Sequence, residues 1–225
     1  MLQVRFTRLP SGGKIERTGE TLARSLPGNR LEMTGRANHE VALRHLAGEA
    51  LVRRFLREQG LGDHHEIQKG EKGKPFIAGI NVHFNVSHSG DHVVAAFSDR
   101  RVGIDIERRG RVRLEIAARF FHPGEVAALL ATREEERASA LADYWAIKES
   151  FLKYLGTGLT RPLSTFRVKM EKTDILLYDR EVRLSLHVQC CPVSAFHACF
   201  ACGETSAPPV IAEIGWDDLY NKEFR

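Results

Sequence analysis

No apolar run in this chain of 225 residues is long enough to cross a bilayer. The opening stretch, Met1-Leu2-Gln3-Val4-Arg5-Phe6-Thr7-Arg8, lacks the apolar centre of a secretion signal. These two absences exclude a membrane-spanning class and leave a cytoplasmic protein as the expectation. Low-complexity segments are also missing. Cysteine is scarce: Cys190, Cys191, Cys199 and Cys202 are the only four. Cys199-x-x-Cys202 has a zinc-like spacing, but the partner pair is adjacent rather than spaced, so these read as reduced strand cysteines. Charge of one sign is not in large excess either. The net charge of +4 is too weak to argue for nucleic acid, though it suits an anionic ligand or an acidic partner.

What is present is an ordinary globular composition, long enough for one large domain or two small ones. Residues 37–59 read as an amphipathic helix with Asn38 as cap and Val41, Gly48, Leu51 and Phe55 along one stripe. A turn follows, and then a strand that ends at Asn85-Val86. The β-rich runs 92–97 and 102–107, joined by Ser98-Asp99-Arg100-Arg101, predict a hairpin. Helical patterns cover 114–121 and 125–130, and a long helix covers 134–155 and stops at Gly156. Strands are expected at 165–170, 182–189, 196–202 and 210–214. Each half thus has a long helix and several strands; no clear repeat marks a duplication at the residue level, but this pattern permits an α+β fold of two similar lobes, residues 1–103 and 104–225. The boundary falls in the predicted hairpin, which places a site at the lobe interface.

Two short stretches carry the chemistry. In Val102-Gly103-Ile104-Asp105-Ile106-Glu107, the two carboxylates share one face of a strand. In Trp145-Ala146-Ile147-Lys148-Glu149-Ser150-Phe151-Leu152-Lys153, Glu149 and Lys153 share one face of a helix. Three carboxylates brought together repel unless a cation neutralises them, and oxygen ligands suit a hard cation such as Mg²⁺. Taken singly, each piece has a plainer reading. Asp105 and Glu107 fit the wet face of an edge strand, and Glu149 with Lys153 fits a helical ion pair. In Asn85-Val86-Ser87-His88-Ser89-Gly90-Asp91, Ser87 and His88 offer donors for a phosphate, or merely build a turn. Lys74, before Pro75, is a phosphate cation or an exposed turn lysine. Arg44, Arg53, Arg54 and Arg57 read as a solvated basic face.

Together and in this order, the pieces resemble the surfactin-synthetase-activating (Sfp-type) family of 4′-phosphopantetheinyl transferases. The matching pieces are Arg44-x-x-x-Gly48-Glu49-x-Leu51, Gly73-Lys74-Pro75, Phe84-Asn85-Val86-Ser87-His88-Ser89, Gly103-Ile104-Asp105-Ile106-Glu107, Phe120-Phe121-x-x-x-Glu125, and Trp145-x-x-Lys148-Glu149-Ser150-Phe151-x-Lys153. The likeness runs on through Gly156-x-Gly158-Leu159 to Pro162-Leu163 and covers roughly residues 40 to 170.

The resemblance implies a monomeric pseudo-dimer of two α/β lobes with coenzyme A in the cleft between them. It implies Mg²⁺-dependent transfer of the phosphopantetheine arm of coenzyme A to a serine of an apo acyl or peptidyl carrier protein, releasing adenosine 3′,5′-bisphosphate. Mg²⁺ would be held by Asp105, Glu107 and Glu149. Glu149, directly or through a bound water, is the candidate base. Lys153 would stabilise or protonate the leaving phosphate oxygen, with Lys148 as a possible helper pointing away on the same helix. Arg44, Lys74, Pro75, Ser87 and His88 match positions at the nucleotide phosphates, with His88 also counted among the catalytic candidates. Arg44 is expected on the 3′-phosphate, with Arg30 and Arg36 as further candidates. Glu125 matches a family carboxylate whose role the residues leave open. Carrier docking is expected near residues 156–168, through Leu159, Arg161 and Leu163. No nucleic acid or membrane partner is expected. The rival readings are an inactive coenzyme A-binding regulator, against which the complete Asp105, Glu107, Glu149 and Lys153 set argues, and a metal-dependent phosphohydrolase.

Overall fold

Period-two alternation sets the centre of the molecule. In Val102–Arg108, Val102, Ile104 and Ile106 point into one apolar core, while Gly103, Asp105 and Glu107 point to the opposite face. The computed structural model of the chain describes residues 1–10, 15–28, 30, 39–172 and 174–220. Its strands are β1 (Gln3–Arg8), β2 (Gln68–Lys69), β3 (Pro75–Phe76), β4 (His83–Ser89), β5 (His92–Ser98), β6 (Val102–Arg108), β7 (Phe166–Met170), β8 (Ile175–Asp179), β9 (Val182–Arg183), β10 (His187–Cys190), β11 (His197–Gly203) and β12 (Val210–Glu213). Its α-helices are α1 (Ile15–Ser25), α2 (His39–Glu58), α3 (Leu114–Phe120), α4 (Pro123–Ala131) and α5 (Glu134–Leu155).

The fold is α+β, and two sheets face each other at its centre. One sheet runs β12-β1-β5-β4 and the other β10-β11-β6. Leu2, Val4, Phe6, Val94 and Ala96 from the first meet Val102, Ile104, Ile106, Cys199 and Ala201 from the second. The outer face of the first sheet packs on α2, through Val93, Ala95 and Phe97 against Leu51 and Phe55. The outer face of the second packs on α5, through Ala198, Phe200 and Cys202 against Ile147, Phe151 and Leu152. Each lobe is therefore a sheet with one long helix on its outer side, as the pseudo-dimer expectation requires. Both contacts need a glycine. A Cβ on Gly48 of α2 would stand 2.8 Å from Val86 Cγ1, and one on Gly103 of β6 would stand 2.1 Å from the Ser150 carbonyl oxygen of α5.

Several expectations change. β5 and β6 do not pair as a hairpin. β1 and β4 already occupy both edges of β5, and β6 pairs with β11, so residues 99–101 carry the chain from one sheet to the other. The strand expected to end at Val86 continues through Ser89, which puts Ser87 and His88 on a strand rather than in a turn. The strand expected at 182–189 is two strands, preceded by an unexpected β8. β8 and β9 join through Arg180 and Glu181, both at positive φ (48° and 62°). That two-residue hairpin uses none of the Asn-Gly or Gly residues that usually announce it. β1 and α1 were likewise not expected.

The 37–59 helix appears as α2, with Asn38 outside the described residues. Val41 is exposed, and the buried face is broader than the expected stripe. The basic face is not simply solvated. Arg53 is buried, pairing with Glu49 and donating to the carbonyls of Asp63 and His65. Arg57 pairs with Asp63 at 2.7 Å. These arginines pin the segment after α2. All four cysteines are free. Cys199 faces the inter-sheet core and Cys202 the α5 side, so the two share no site.

The 103/104 boundary divides β6 near its start, and the last segment crosses back over it. β12 pairs in parallel with β1, and Ile214 and Leu219 lie in the core under α2.

Candidate active site

β4 and β6 stand side by side without a backbone ladder between them. Side chains of β4 take its place. Asn85, Ser87 and Ser89, alternate residues on one face, all reach β6. Asn85 Oδ1 accepts from the Ile104 amide (3.0 Å), Ser87 Oγ donates to Asp105 Oδ1 (2.7 Å) and Ser89 Oγ donates to Glu107 Oε1 (2.8 Å). Ser89 Oγ also accepts from the Arg108 amide at 3.0 Å. Asn85 and Ser89 were missed as site residues in the sequence. The period-two recurrence of short hydrogen-bonding side chains was the available signal.

From the other side, α5 lies against β6 at Gly103, which brings Lys153 and Glu149 over the strand. Lys153 Nζ donates to Asp105 Oδ1 (2.6 Å) and to Ser87 Oγ (2.7 Å). Glu149 Oε1 is buried and has no partner. Burial, then the Asp105 charge, push the Glu149 carboxyl up to about 7, with Lys153 opposing and Glu107 adding. Asp105, Glu107, Glu149, Lys153, Ser87, His88, Trp145 and Leu159 line one hollow of about 280 Å³ between the lobes. A roomier hollow of about 470 Å³ lies between β8 and β10, but holds none of the expected site residues.

His88 is exposed and edge-on to His45, with ring centroids 5.9 Å apart. Partial shielding of its ring from water, then the nearby Arg44, His45 and Lys153 charges, lower its pKa. Arg44 stands on a neighbouring hollow of about 320 Å³ with Gly90, Asp91 and Arg108. Its Nε donates to the Gly90 carbonyl (2.9 Å) and its other guanidinium edge meets Glu40 (2.8 Å).

The structure does not bring Lys74 or Pro75 to the hollow. Lys74 Nζ donates to the carbonyls of Val102 (2.8 Å), Lys153 (2.6 Å) and Tyr154 (3.2 Å). It caps the C-terminus of α5, where a cation also suits the helix dipole. All three ammonium protons are thereby used. Lys148 is likewise not at the site. It is fully buried, donating to Glu125 Oε1 (2.6 Å) and the Phe166 carbonyl (3.0 Å). Burial lowers its pKa to about 8 against the pull of Glu125. Glu125 also accepts from the amides of Val168 and His122, so it ties α4, α5 and β7 together. Of the expected docking residues, Leu159 is exposed, Leu163 is buried, and Arg161 pairs with Asp179 at 2.7 Å. Arg30 pairs with Glu49 at 3.4 Å, and Arg36 lies outside the described residues.

The carboxylates fit a hard cation by donor chemistry. Their oxygens are hard ligands, and one buried Glu149 oxygen lacks any partner. They do not form a closed cluster. Among the described residues, three potential metal-ligating atoms within 4.8 Å of one another occur instead at Asp91, His92 and His197. Asp105 is turned to Lys153 and Ser87, and Glu107 to Ser89.

Residues 101–199 match the family model of the 4′-phosphopantetheinyl transferase superfamily. That segment holds β6 and α5. The chain is 38% identical over 144 residues to 4′-phosphopantetheinyl transferase gsp of Aneurinibacillus migulanus, covering 63% of this chain and 60% of that one. It is 41% identical over 136 residues to 4′-phosphopantetheinyl transferase Sfp of Bacillus subtilis (strain 168), covering 59% and 61%. The chain thus spans about three fifths of the length of these relatives. The solved holo-[acyl-carrier-protein] synthase (AcpS) of Thermotoga maritima aligns at 24% identity over 45% of this chain and 61% of its own, with a TM-score of 0.37, too slight a likeness to bear on the fold.

Proposed function

We propose that this chain transfers the 4′-phosphopantetheine group of coenzyme A to a serine of an apo acyl or peptidyl carrier protein, in an Mg²⁺-dependent reaction that releases adenosine 3′,5′-bisphosphate. The observation that carries the reading is the convergence of Asp105, Glu107, Glu149 and Lys153 on one inter-lobe hollow, within a chain related to transferases of that name. Asp105, Glu107 and Glu149 would hold Mg²⁺, which when bound screens pyrophosphate charge and orients the attacked phosphorus.

The chain's own residues account for the rest. Glu149, whose buried Oε1 has no partner within the chain, takes up the serine proton, directly or, more readily for a metal-bound carboxylate, through a bridging water. Lys153 Nζ, anchored on Asp105 and Ser87, faces the hollow as the cation for charge developing on the departing phosphate oxygen. His88 and Arg44 bind the nucleotide phosphates. A forked guanidinium suits the 3′-phosphate, and the hollow beside Arg44 gives it room. Lys74 serves this site indirectly, by holding the carbonyl of Lys153 itself. Trp145 and Leu159 wall the hollow, and exposed Leu159 begins the carrier-docking surface proposed for residues 156–168. None of the described helices is long and apolar enough to cross a membrane. We place the protein in the cytoplasm as a monomer, with no nucleic acid partner.

The test is whether adenosine 3′,5′-bisphosphate appears from coenzyme A and Mg²⁺ with and without an apo carrier. Release only when carrier is present supports transfer. Release without carrier identifies a phosphohydrolase, and binding of coenzyme A without release identifies a regulator.

A further inference from the structure

A second cluster of ligating side chains lies at the far end of β4, apart from the carboxylate hollow. Asp91 follows the Gly90 turn, His92 opens β5, and His197 opens β11. The rings of His92 and His197 stand 4.5 Å apart, and His92 Nδ1 lies 2.8 Å from Asp91 Oδ1. Asp91 Oδ2 is held by Arg8 Nε at 2.6 Å, which fixes the carboxylate with Oδ1 towards the histidines. One potential ligand atom from each of the three residues lies within 4.8 Å of the others.

The unusual member is His197. It is only 7% exposed, yet neither ring nitrogen has a hydrogen-bond partner. The Ser89 main chain approaches the ring without reaching hydrogen-bond geometry. Leaving a buried donor or acceptor without a partner is costly, so a buried imidazole with two open nitrogens beside a histidine and a carboxylate points to a ligand.

We infer that Asp91, His92 and His197 bind one divalent transition-metal ion, Zn²⁺ or a close analogue, and that the ion pins β5 of the first lobe to β11 of the second. Two imidazoles and one carboxylate match the nitrogen-rich preference of Zn²⁺ and disfavour Mg²⁺. Ligands about 2.1 Å from a tetrahedral ion stand roughly 3.4 Å apart, so the cluster needs only a small closure. Because the ion would bind the native arrangement alone, it stabilises the joined lobes by mass action. The inference does not depend on the transferase reading, since none of its ligands belongs to the carboxylate hollow.

The test titrates the purified full chain with Zn²⁺ against a chromophoric chelator, and with Co²⁺ by visible absorption, in excess Mg²⁺. Wild type, Asp91→Asn, His197→Gln and Glu149→Gln are compared. One Zn²⁺ per chain is expected, with at least a tenfold weaker affinity in Asp91→Asn and His197→Gln and none of that loss in Glu149→Gln. The thermal midpoint should rise with Zn²⁺ in wild type and not in Asp91→Asn. Absence of Zn²⁺ binding by wild type overturns the inference, as does loss in Glu149→Gln without loss in Asp91→Asn. Should His197→Gln fail to fold, the half-exposed Asp91 position decides alone.

Discussion

Single side chains carry the chemistry, and one of them changes meaning most between sequence and structure. Glu149 reads in the sequence as half of an i,i+4 ion pair with Lys153. In the structure Lys153 is committed to Asp105 and Ser87, and a Glu149 oxygen is left buried and unpartnered. Asp105→Ala and Glu149→Ala should therefore each reduce phosphopantetheine transfer by at least about a hundredfold, the scale of a lost acid–base or charge-stabilising group. Far-ultraviolet circular dichroism should show both variants folded. A variant with near-wild-type rates would remove that residue from the site. Lys148 moves in the opposite direction, from a site candidate to a core residue. Its pair with Glu125 is fully buried. Replacing Glu125 by Leu alone strands the ammonium, and urea unfolding should show a loss of about 3–5 kcal/mol. The double change Glu125→Leu with Lys148→Met should recover part of it, since the stranded charge is gone but the Val168 and His122 amides still lack their acceptor.

At the scale of elements, helix periodicity was legible and strand partnership was not. Residues 134–155 form α5 over the expected span, because its run ends at Gly156 in the left-handed region (φ 72°). The β5–β6 hairpin failed because a sequence shows where two strands adjoin, not which edges are already taken. β1, from the opening segment, takes one of them. The site's alternate residues on β4 were hidden for a related reason. Ser87 and Ser89 look like turn residues until a strand extends through them. Gly103 marks where β6 meets α5, with a Cβ there falling 2.1 Å from the Ser150 oxygen. Gly103→Ala must push the helix off the strand. We expect a loss of at least about 1–3 kcal/mol in the unfolding midpoint analysis, typical of overpacking. Transfer should also fall, since Lys153 rides on that helix turn.

For the whole molecule, the sequence showed no clear repeat at the residue level, but its coarse pattern, a long helix and several strands in each half, permitted two similar lobes. The return of the chain was not legible. β12 lies in the first lobe, parallel to β1, although it closes the second half of the sequence. Four strand residues without a helical crossover of their own give no sign of their partner. A chain ending at residue 208 should leave the edge of β1 open, and hydrogen exchange should show faster exchange at the β1 amides while α5 amides stay protected. Unchanged protection of β1 would mean that β12 does not support the first sheet. The modest positive charge lies in the first lobe: residues 1–103 carry 16 Lys and Arg against 11 Asp and Glu, and residues 104–225 carry 17 against 18.

The central claim, that the inter-lobe carboxylates and Lys153 serve transfer from coenzyme A to a carrier serine, is met most directly by the intact mass of an apo carrier protein. After incubation with the chain, coenzyme A and Mg²⁺, the carrier should gain the mass of one phosphopantetheine. The gain should vanish when EDTA is added. An unchanged mass across several acyl and peptidyl carriers, with Mg²⁺ and coenzyme A in excess, would contradict the account.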